Sequence, residues 1–405
     1  MKSVFLTSLI GKIVAKSARI RGGEGSALPG LIVEKFDPNF LNKVLKNLPY
    51  GVVIISGTNG KTTTTKIVTE LLRSVGLRVF TNSSGSNFTR GVASSAIVEM
   101  RYGKLHADIA ILELDEAHAV HFVNKIAPKY SLLLNVSDDQ KDRHGNVKNV
   151  ANLLEKVANR TTKTVILNRE DTLLSKISTK STKYFGYSES IKKLFKNQNQ
   201  SKKGPEIPAE IILEDFYNGV AKFNIGEAKL QIDGVHNALN AVAALALVKE
   251  ILDEKFDDEK VLSALSKIKP ASGRGEKIIL NGQSIALKIV KNPVGFQMAL
   301  IGQYDPNAAT MIAINNHIAD GRDISWLKDV DYSDLQSVEM ISGTCADDMT
   351  KSLKDQGIKI KRTNHDLPVA LSEFLSQNAG QPKQIFASYT AIMEIRKILK
   401  REIKK

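Results

Sequence analysis

The chain has 405 residues, 42% of them hydrophobic and 25% charged, a composition that excludes a disordered class and leaves room for two or three folded domains. Its single cysteine, Cys345, excludes an internal disulfide and a four-cysteine metal site, and suits a reducing compartment. The net charge of +14 is compatible with nucleic acid, an anionic membrane surface or a polyphosphate or acidic substrate; no aromatic-rich basic platform supports the first, so no nucleic-acid partner is expected.

In chain order, "MKSVFLTSLIGKIVAKSARIR" places Phe5, Leu6, Leu9, Ile10, Ile13 and Val14 on one helical face. Lys12 and Lys16 interrupt the apolar run, so an amphipathic first helix fits better than a signal peptide, and residues 1–45 are read as a helical N-terminal segment. No stretch reaches the roughly 18 unbroken apolar residues of a membrane span. "GVVIIS" (51–56) has the pattern of a buried strand, and "KTTTTKIVTELLRSVG" that of a helix closed by Gly76. Four short β-rich runs follow, "LRVFTN" (77–82), "ADIAILELD" (107–115), "YSLLLNVS" (130–137) and "KTVILNRED" (163–171), each ending in polar residues. Alternation of such runs with helical patterns predicts an α/β fold with a mostly parallel sheet. Ligand groups on such sheets gather at the carboxyl ends of the strands, so the terminal polar residues are candidate site residues.

The stretch 187–208 is polar and lysine-rich and is read as a surface loop, whereas 233–252 is an alanine-rich, apolar helix expected to be buried. After Pro270 the runs "EKIIL", "QSIALKIVK", "ATMIAINN", "SVEMISG" and "QIFASYT" point to a second α/β unit. The domain reading is therefore 1–45 helical, 46–270 central and 271–405 C-terminal. The final turns, "EIRKILKREIKK", keep an apolar face and either a solvated basic face or one that meets an acidic partner or membrane.

"SGTNGKTTT" carries the chemistry that is easiest to read. A phosphate-binding loop needs successive backbone N–H groups at a helix N-terminus, a lysine charge and a Ser/Thr hydroxyl for a metal. The usual glycine five residues before the GK pair is replaced by Ile55, but Gly57 and Gly60 bracket Thr58 and Asn59 and can make the turn, with Lys61 as the charge and Thr62 as the metal hydroxyl. Magnesium needs further oxygens, and Glu113, Asp115 and Glu116 stand at the end of "AILELDEA". His118 and His121 have helical metal-ligand spacing without a third ligand, and read as ordinary surface histidines.

These residues, with "DGVHNALNAVAA" and "SGRGE", resemble the Mur ligase superfamily of ATP-dependent amide-forming enzymes. "GGEGSALPGL" (22–31), "KNPVGFQ" (291–297) and "ADGRDISW" (319–326) are similar to its MurT branch, the synthetase subunit of lipid II isoglutaminyl synthase, which works with a GatD-type glutaminase. The resemblance implies a Mur ligase-like fold, a P-loop central ATPase domain followed by a C-terminal α/β domain. It implies that Gly57, Thr58, Asn59, Gly60, Lys61 and Thr62 hold the ATP phosphates, Thr62 and Glu113 hold Mg2+, Asn237 meets the adenine, and Arg274 reaches the phosphates. The implied reaction is ATP-dependent amidation of the D-glutamate α-carboxyl of the lipid II stem peptide through an acyl phosphate. Asp320 or Asp323 would complete the partner's catalytic triad, Asp320 slightly favoured, and Trp326 is either an interface anchor or a core residue. A heterodimer in the cytoplasm, with a peripheral place at the inner membrane surface where lipid II lies, is the corresponding expectation. Two departures stand out. The family's four-cysteine zinc ribbon is absent, so zinc is not expected, and in "NVSDDQKDRHG" (135–145) Ser137, Asp138 and His144 do not follow the family pattern while Asn135, Asp139, Gln140, Asp142 and Arg143 do. The competing readings are a stand-alone Mur-type amino acid ligase, which leaves "ADGRDISW" unexplained, and a nucleotide-binding scaffold without chemistry.

Overall fold

The computed structural model describes residues 3–20, 27–82, 87–136, 147–193, 207–231, 234–269, 274–377 and 380–403. The chain divides into two compact units, the first comprising Met1–Ser137, Val147–Leu230 and Ala238–Ile268, the second Asp138–Asn146, Gln231–Asn237 and Lys269–Lys405.

In the first unit nine described strands form one sheet: β1 (Gly51–Ser56), β2 (Val79–Thr81), β3 (Ile109–Glu113), β4 (Tyr130–Leu133), β5 (Thr164–Asn168), β6 (Thr182–Tyr187), β7 (Ile211–Tyr217), β8 (Val220–Phe223) and β9 (Gly226–Lys229). Their order is β2-β3-β1-β4-β5-β6-β7-β8-β9. The first seven strands pair parallel, and β8 and β9 return antiparallel. β1 to β5 follow the predicted runs, trimmed at their ends. β1 is buried from Val52 onward, as expected of a parallel strand covered on both faces. The chain leaves β1 toward β2 and β3 on one side and later places β4 on the other, so the order reverses at β1, where an open α/β sheet presents its ligand crevice.

The sheet runs beyond the elements legible in the sequence. β6 and the meander β7 to β9 extend it, and the predicted loop 187–208 is shorter than expected. β6 continues to Tyr187, and a short helix, Glu189–Lys193, follows, held by the buried Ile191 and by Ser188, whose hydroxyl donates to the Glu214 carbonyl at 2.6 Å. The remainder, 194–206, lies outside the described residues. Helix Val235–Leu252 is buried as expected; it is apolar enough in composition to cross a membrane, but 72% of that stretch lies inside the protein.

The N-terminal helices Val4–Ile20, Leu28–Phe36 and Phe40–Leu45 pack in the same unit, with Val33, Phe40, Leu41 and Leu45 joining Val92, Ala96 and Ile97 of helix Thr89–Glu99 in one core. Gly30, within the motif 22–31, permits this contact: a Cβ there would lie 1.9 Å from the Arg90 carbonyl oxygen, and the Gly30 N–H donates to Ser94 Oγ at 2.9 Å.

The second unit holds a six-stranded sheet, β10 (Arg274–Leu280), β11 (Gln283–Ile289), β12 (Ala309–Ala313), β13 (Ser337–Ser342), β14 (Lys359–Thr363) and β15 (Lys383–Ala387), in the order β10-β11-β15-β12-β13-β14. Only β10 runs antiparallel to its neighbour. Period-two alternation sends Met311 and Ile385 to one core, with Leu371 and Ile392, and Ile312 and Phe386 to the other, with Phe296 and Ile341.

Candidate active site

Four residues, 57–60, separate β1 from a helix, in register with the phosphate-loop reading. Gly57 and Gly60 have φ of +129° and +86°, left-handed conformations that suit glycine. They make the turn without the missing glycine, and helix Lys61–Ser74 starts directly after it. Asn135, just past β4, clamps the loop. Its carbonyl accepts the Thr58 N–H at 3.0 Å, its side-chain oxygen accepts the Asn59 N–H at 2.8 Å, and its side-chain amide donates to the Asn59 carbonyl at 3.0 Å. Asp171 fixes the next peptide by accepting the Val136 N–H at 2.6 Å. Burial lifts the Asp171 carboxyl above the ordinary range, against the backbone N–H donors that favour its ionised form.

Lys61 is buried, and its ammonium donates to the Gly57 carbonyl at 2.6 Å and lies 3.3 Å from the Asp115 carboxylate. Burial opposes its charge, but the fields of Glu116, Asp115 and Glu113 outweigh burial and raise its pKa above the ordinary lysine value. A fixed cation therefore sits at the mouth of the loop.

The register Ile55↔Glu113 puts the last residue of β3 beside the loop. Glu113 is 4% exposed and accepts from the Thr62 hydroxyl at 2.8 Å and the Asn87 amide at 3.0 Å. Asn82, at the end of β2, locks the backbone of Glu113 by exchanging two hydrogen bonds of 2.9 Å with it. Thr62 Oγ1 and the Glu113 carboxylate are hard oxygen donors, and the buried side-chain oxygen of Asn87 has no hydrogen-bond partner. This donor set fits a magnesium ion. Asp115, by contrast, faces Lys61 at the N-terminus of helix Glu116–Val123. His118 packs against Phe88 with the rings tilted by 47° and their centroids 5.7 Å apart.

Asn240, on helix Val235–Leu252, closes the other side of the loop: Thr64 Oγ1 approaches its side-chain oxygen at 3.4 Å, and a Cβ on Gly60 would lie 2.2 Å from that oxygen. Asn237 is buried one turn earlier on the same helix, its N–H bonded to the Gly234 carbonyl at 3.0 Å. Arg274 opens β10, and its side chain lies outside the described residues, as does 137–146, which holds most of the altered 135–145 loop.

In the second unit, Asp320 accepts the Thr390 N–H at 2.7 Å and the Thr390 hydroxyl, and also the His317 N–H at 3.2 Å. It thereby caps helix Tyr389–Ile403 and pins the loop 317–320 to it. Asp323 accepts the Ser325 N–H at 2.8 Å, a turn of Asx type. Trp326 packs edge-on against the buried Phe296, with centroids 6.5 Å apart.

The structure thus brings Gly57 to Thr62 and Glu113 together and adds Asn87 and Asn240, which the sequence reading did not name, and Asn82 and Asn135, which it reached only among the polar ends of predicted runs without a role. A signal for two of them existed: Asn82 and Asn135 lie at the polar ends of predicted β-runs. Asn240 had none, standing among the polar residues of a buried helix.

Comparison with known proteins agrees with this geometry. A model of the Mur ligase middle domain matches residues 55–248, and one of the MurT ligase C-terminal domain matches 289–392. The chain is 27% identical to the lipid II isoglutaminyl synthase (glutamine-hydrolyzing) subunit MurT of Streptococcus pneumoniae over 97% of each chain. It is 26% identical to the MurT subunit of Staphylococcus aureus over 85% of this chain and 86% of that one. Among solved structures it resembles the MurF ligase of Thermotoga maritima in complex with ADP, with a TM-score of 0.71, 18% identity and coverage of 92% and 84% of the two chains.

Proposed function

Because this chain belongs to the Mur ligase family and carries a MurT-type C-terminal domain, we propose that it is the ATP-using subunit of a lipid II isoglutaminyl synthase, amidating the D-glutamate α-carboxyl of the stem peptide to D-isoglutamine. The observation that carries this reading is the MurT-type match over 289–392 on a chain whose other unit holds a Mur-type loop with Lys61 and the Thr62–Glu113 pair in place. A stand-alone amino acid ligase would leave that C-terminal match unexplained.

In the proposed reaction the γ-phosphoryl group of ATP passes to an oxygen of the substrate carboxylate, giving an acyl phosphate and ADP. Ammonia then attacks the carbonyl carbon and expels phosphate, leaving the amide. No side-chain nucleophile is required, so the protein's work is positioning and charge neutralisation. The loop 57–62 and the Lys61 ammonium would surround the transferring phosphates, and Asn135, by accepting the Thr58 and Asn59 N–H groups, holds the loop in shape before ATP arrives. Thr62, Glu113 and Asn87 would hold magnesium, which supplies compensation of the phosphate charge. Asn237 would meet the adenine and Arg274 the phosphates.

Ammonia would come from glutamine hydrolysed on a GatD-like partner, with Asp320 or Asp323 orienting that partner's histidine. Asp320 has both oxygens engaged within its own chain, which makes it rigid, and Asp323 accepts the Ser325 N–H. Mass spectrometry of lipid II incubated with this chain, a GatD-type glutaminase, ATP and glutamine tests the reading. Replacement of one carboxyl hydroxyl by an amino group, giving the amide, is expected, and ADP release without that mass change would overturn it.

A further inference from the structure

The first helix is built inside out. In a helix lying on a globular protein the bulky apolar side chains normally face inward, yet Val4–Ile20 buries Thr7 and Ser8 and exposes Phe5 (53%), Leu6 (49%), Leu9 (46%) and Ile13 (60%). The inward hydroxyls are satisfied within the helix: Thr7 donates to the Ser3 carbonyl at 3.1 Å and Ser8 to the Phe5 carbonyl at 2.8 Å. Gly11 lets this small face seat closely, since a Cβ there would come 2.9 Å from Ile97 Cδ1 and 3.0 Å from Val33 Cγ2. The orientation is therefore fixed by packing, with a stripe at positions 5, 9 and 13 left outward.

A second element continues this face. Arg101 and Lys104 pair across a tight turn that carries Tyr102, 88% exposed, and Gly103 lies against Phe5, where a Cβ would approach the Phe5 Cα at 2.9 Å. Lys12 joins helix to turn by donating to the Met100 carbonyl at 2.5 Å. Among the described residues, the exposed Lys12 and Lys16 of the helix and Arg101 and Lys104 of the turn put four cations beside this apolar surface, against one exposed acid close to it in sequence, Glu99.

We propose that this face docks the protein on an anionic phospholipid surface, the helix lying in the headgroup plane with Phe5, Leu9 and Ile13 dipping toward the acyl chains. An exposed apolar stripe, a tyrosine at its edge and a predominantly basic rim are what such a surface selects. A second protein copy would be met by like charge on the same rim. The purpose of the docking rests on the proposed lipid-linked substrate, since an enzyme held at the bilayer searches for that substrate in two dimensions.

Co-sedimentation of the full chain with vesicles free of lipid II provides the test. Binding is expected to vesicles of phosphatidylglycerol mixed with phosphatidylcholine and to fall sharply with phosphatidylcholine alone or with added salt. The Leu9→Ser/Ile13→Ser variant is expected to lose roughly tenfold or more of that binding, and Arg101→Glu/Lys104→Glu to lose the preference for anionic lipid. ATP affinity and the unfolding midpoint should not change in either variant, because the altered groups point into solvent. No partition to anionic vesicles, or partition indifferent to the Leu9→Ser/Ile13→Ser change, overturns the proposal. So does a dimer, or a complex with the glutaminase, that this variant breaks. Amidation of detergent-dispersed lipid II without vesicle binding would sink the docking alone, and vesicle binding without amidation would sink the substrate reading alone.

Discussion

Gly60→Ala isolates the packing of the phosphate loop. The substitution meets two costs. The first is conformational: φ is +86°, and a left-handed backbone costs an L-residue about 1–2 kcal/mol. The second is steric: the new Cβ would lie 2.2 Å from the Asn240 side-chain oxygen and 3.2 Å from its Cγ. Asn240 must swing away and give up its 3.4 Å approach to Thr64, an overpacking cost of about 1–3 kcal/mol. The total is about 2–5 kcal/mol. Gly76 is the internal control, because its φ is +89° and a Cβ would find nothing within 4 Å, leaving only the conformational cost. A double-mutant cycle with Asn240→Ala separates the two, since Gly60→Ala in that background should cost only about 1–2 kcal/mol. Urea unfolding gives the stabilities, and titration with a fluorescent ATP analogue reports the loop. Nucleotide binding should fall for Gly60→Ala and stay intact for Gly76→Ala. If Gly60→Ala proves no more costly than Gly76→Ala, or the cycle shows no coupling, the close approach of Asn240 to the loop is wrong.

Lys61→Ala should abolish amide synthesis while leaving partner binding intact, as read by turnover and co-purification with the glutaminase; retained amidation would remove the loop from the mechanism. Asp320→Asn and Asp323→Asn should impair glutamine-driven amidation at whichever position serves the partner, yet spare amidation driven by free ammonium. Equal loss with both nitrogen sources counts against a triad role. Asp320→Ala should in addition lower stability by about 0.5–2 kcal/mol through the lost helix cap, measured by urea unfolding. Lys383 is 1% exposed and donates to the Gln377 carbonyl over the Phe374 ring, and burial lowers its pKa against the opposing field of Glu339. The unfolded chain therefore binds more protons at this site, and stability should rise with pH between the depressed folded value and the unfolded value of about 10.5. Lys383→Met should raise the urea midpoint at neutral pH and flatten that rise; an unchanged slope would show that Lys383 is not the group responsible.

Much of the fold was legible because its signals are local. The runs 51–56, 77–82, 107–115, 130–137 and 163–171 are apolar stretches with polar ends, and each contains a parallel strand. β6 to β9 were missed for the opposite reason. The lysine-rich 187–208 region hid the end of β6, and the β7 to β9 meander has exposed, mixed sequences whose pairing comes from neighbours rather than from pattern. The first helix was legible as amphipathic, but the sequence does not say which way its apolar face points; the close seat of Gly11 against Ile97 and Val33 is visible only in the fold.

At the site, sequence alone determined the chemistry carried by one contiguous segment: two glycines, a lysine and a threonine at the start of a helix, with a carboxylate waiting at the end of a later strand. Only the tertiary structure decided how that segment is held. Asn82 and Asn87 fasten Glu113, Asn135 clamps Thr58 and Asn59, and Asn240 closes on Gly60, from sequence positions up to 180 residues away from one another. An asparagine has no pattern of its own. Its amide gains a role only when folding places a backbone N–H or a carbonyl within about 3 Å of it, and that placement is a property of the sheet order, which no local stretch of this chain contains.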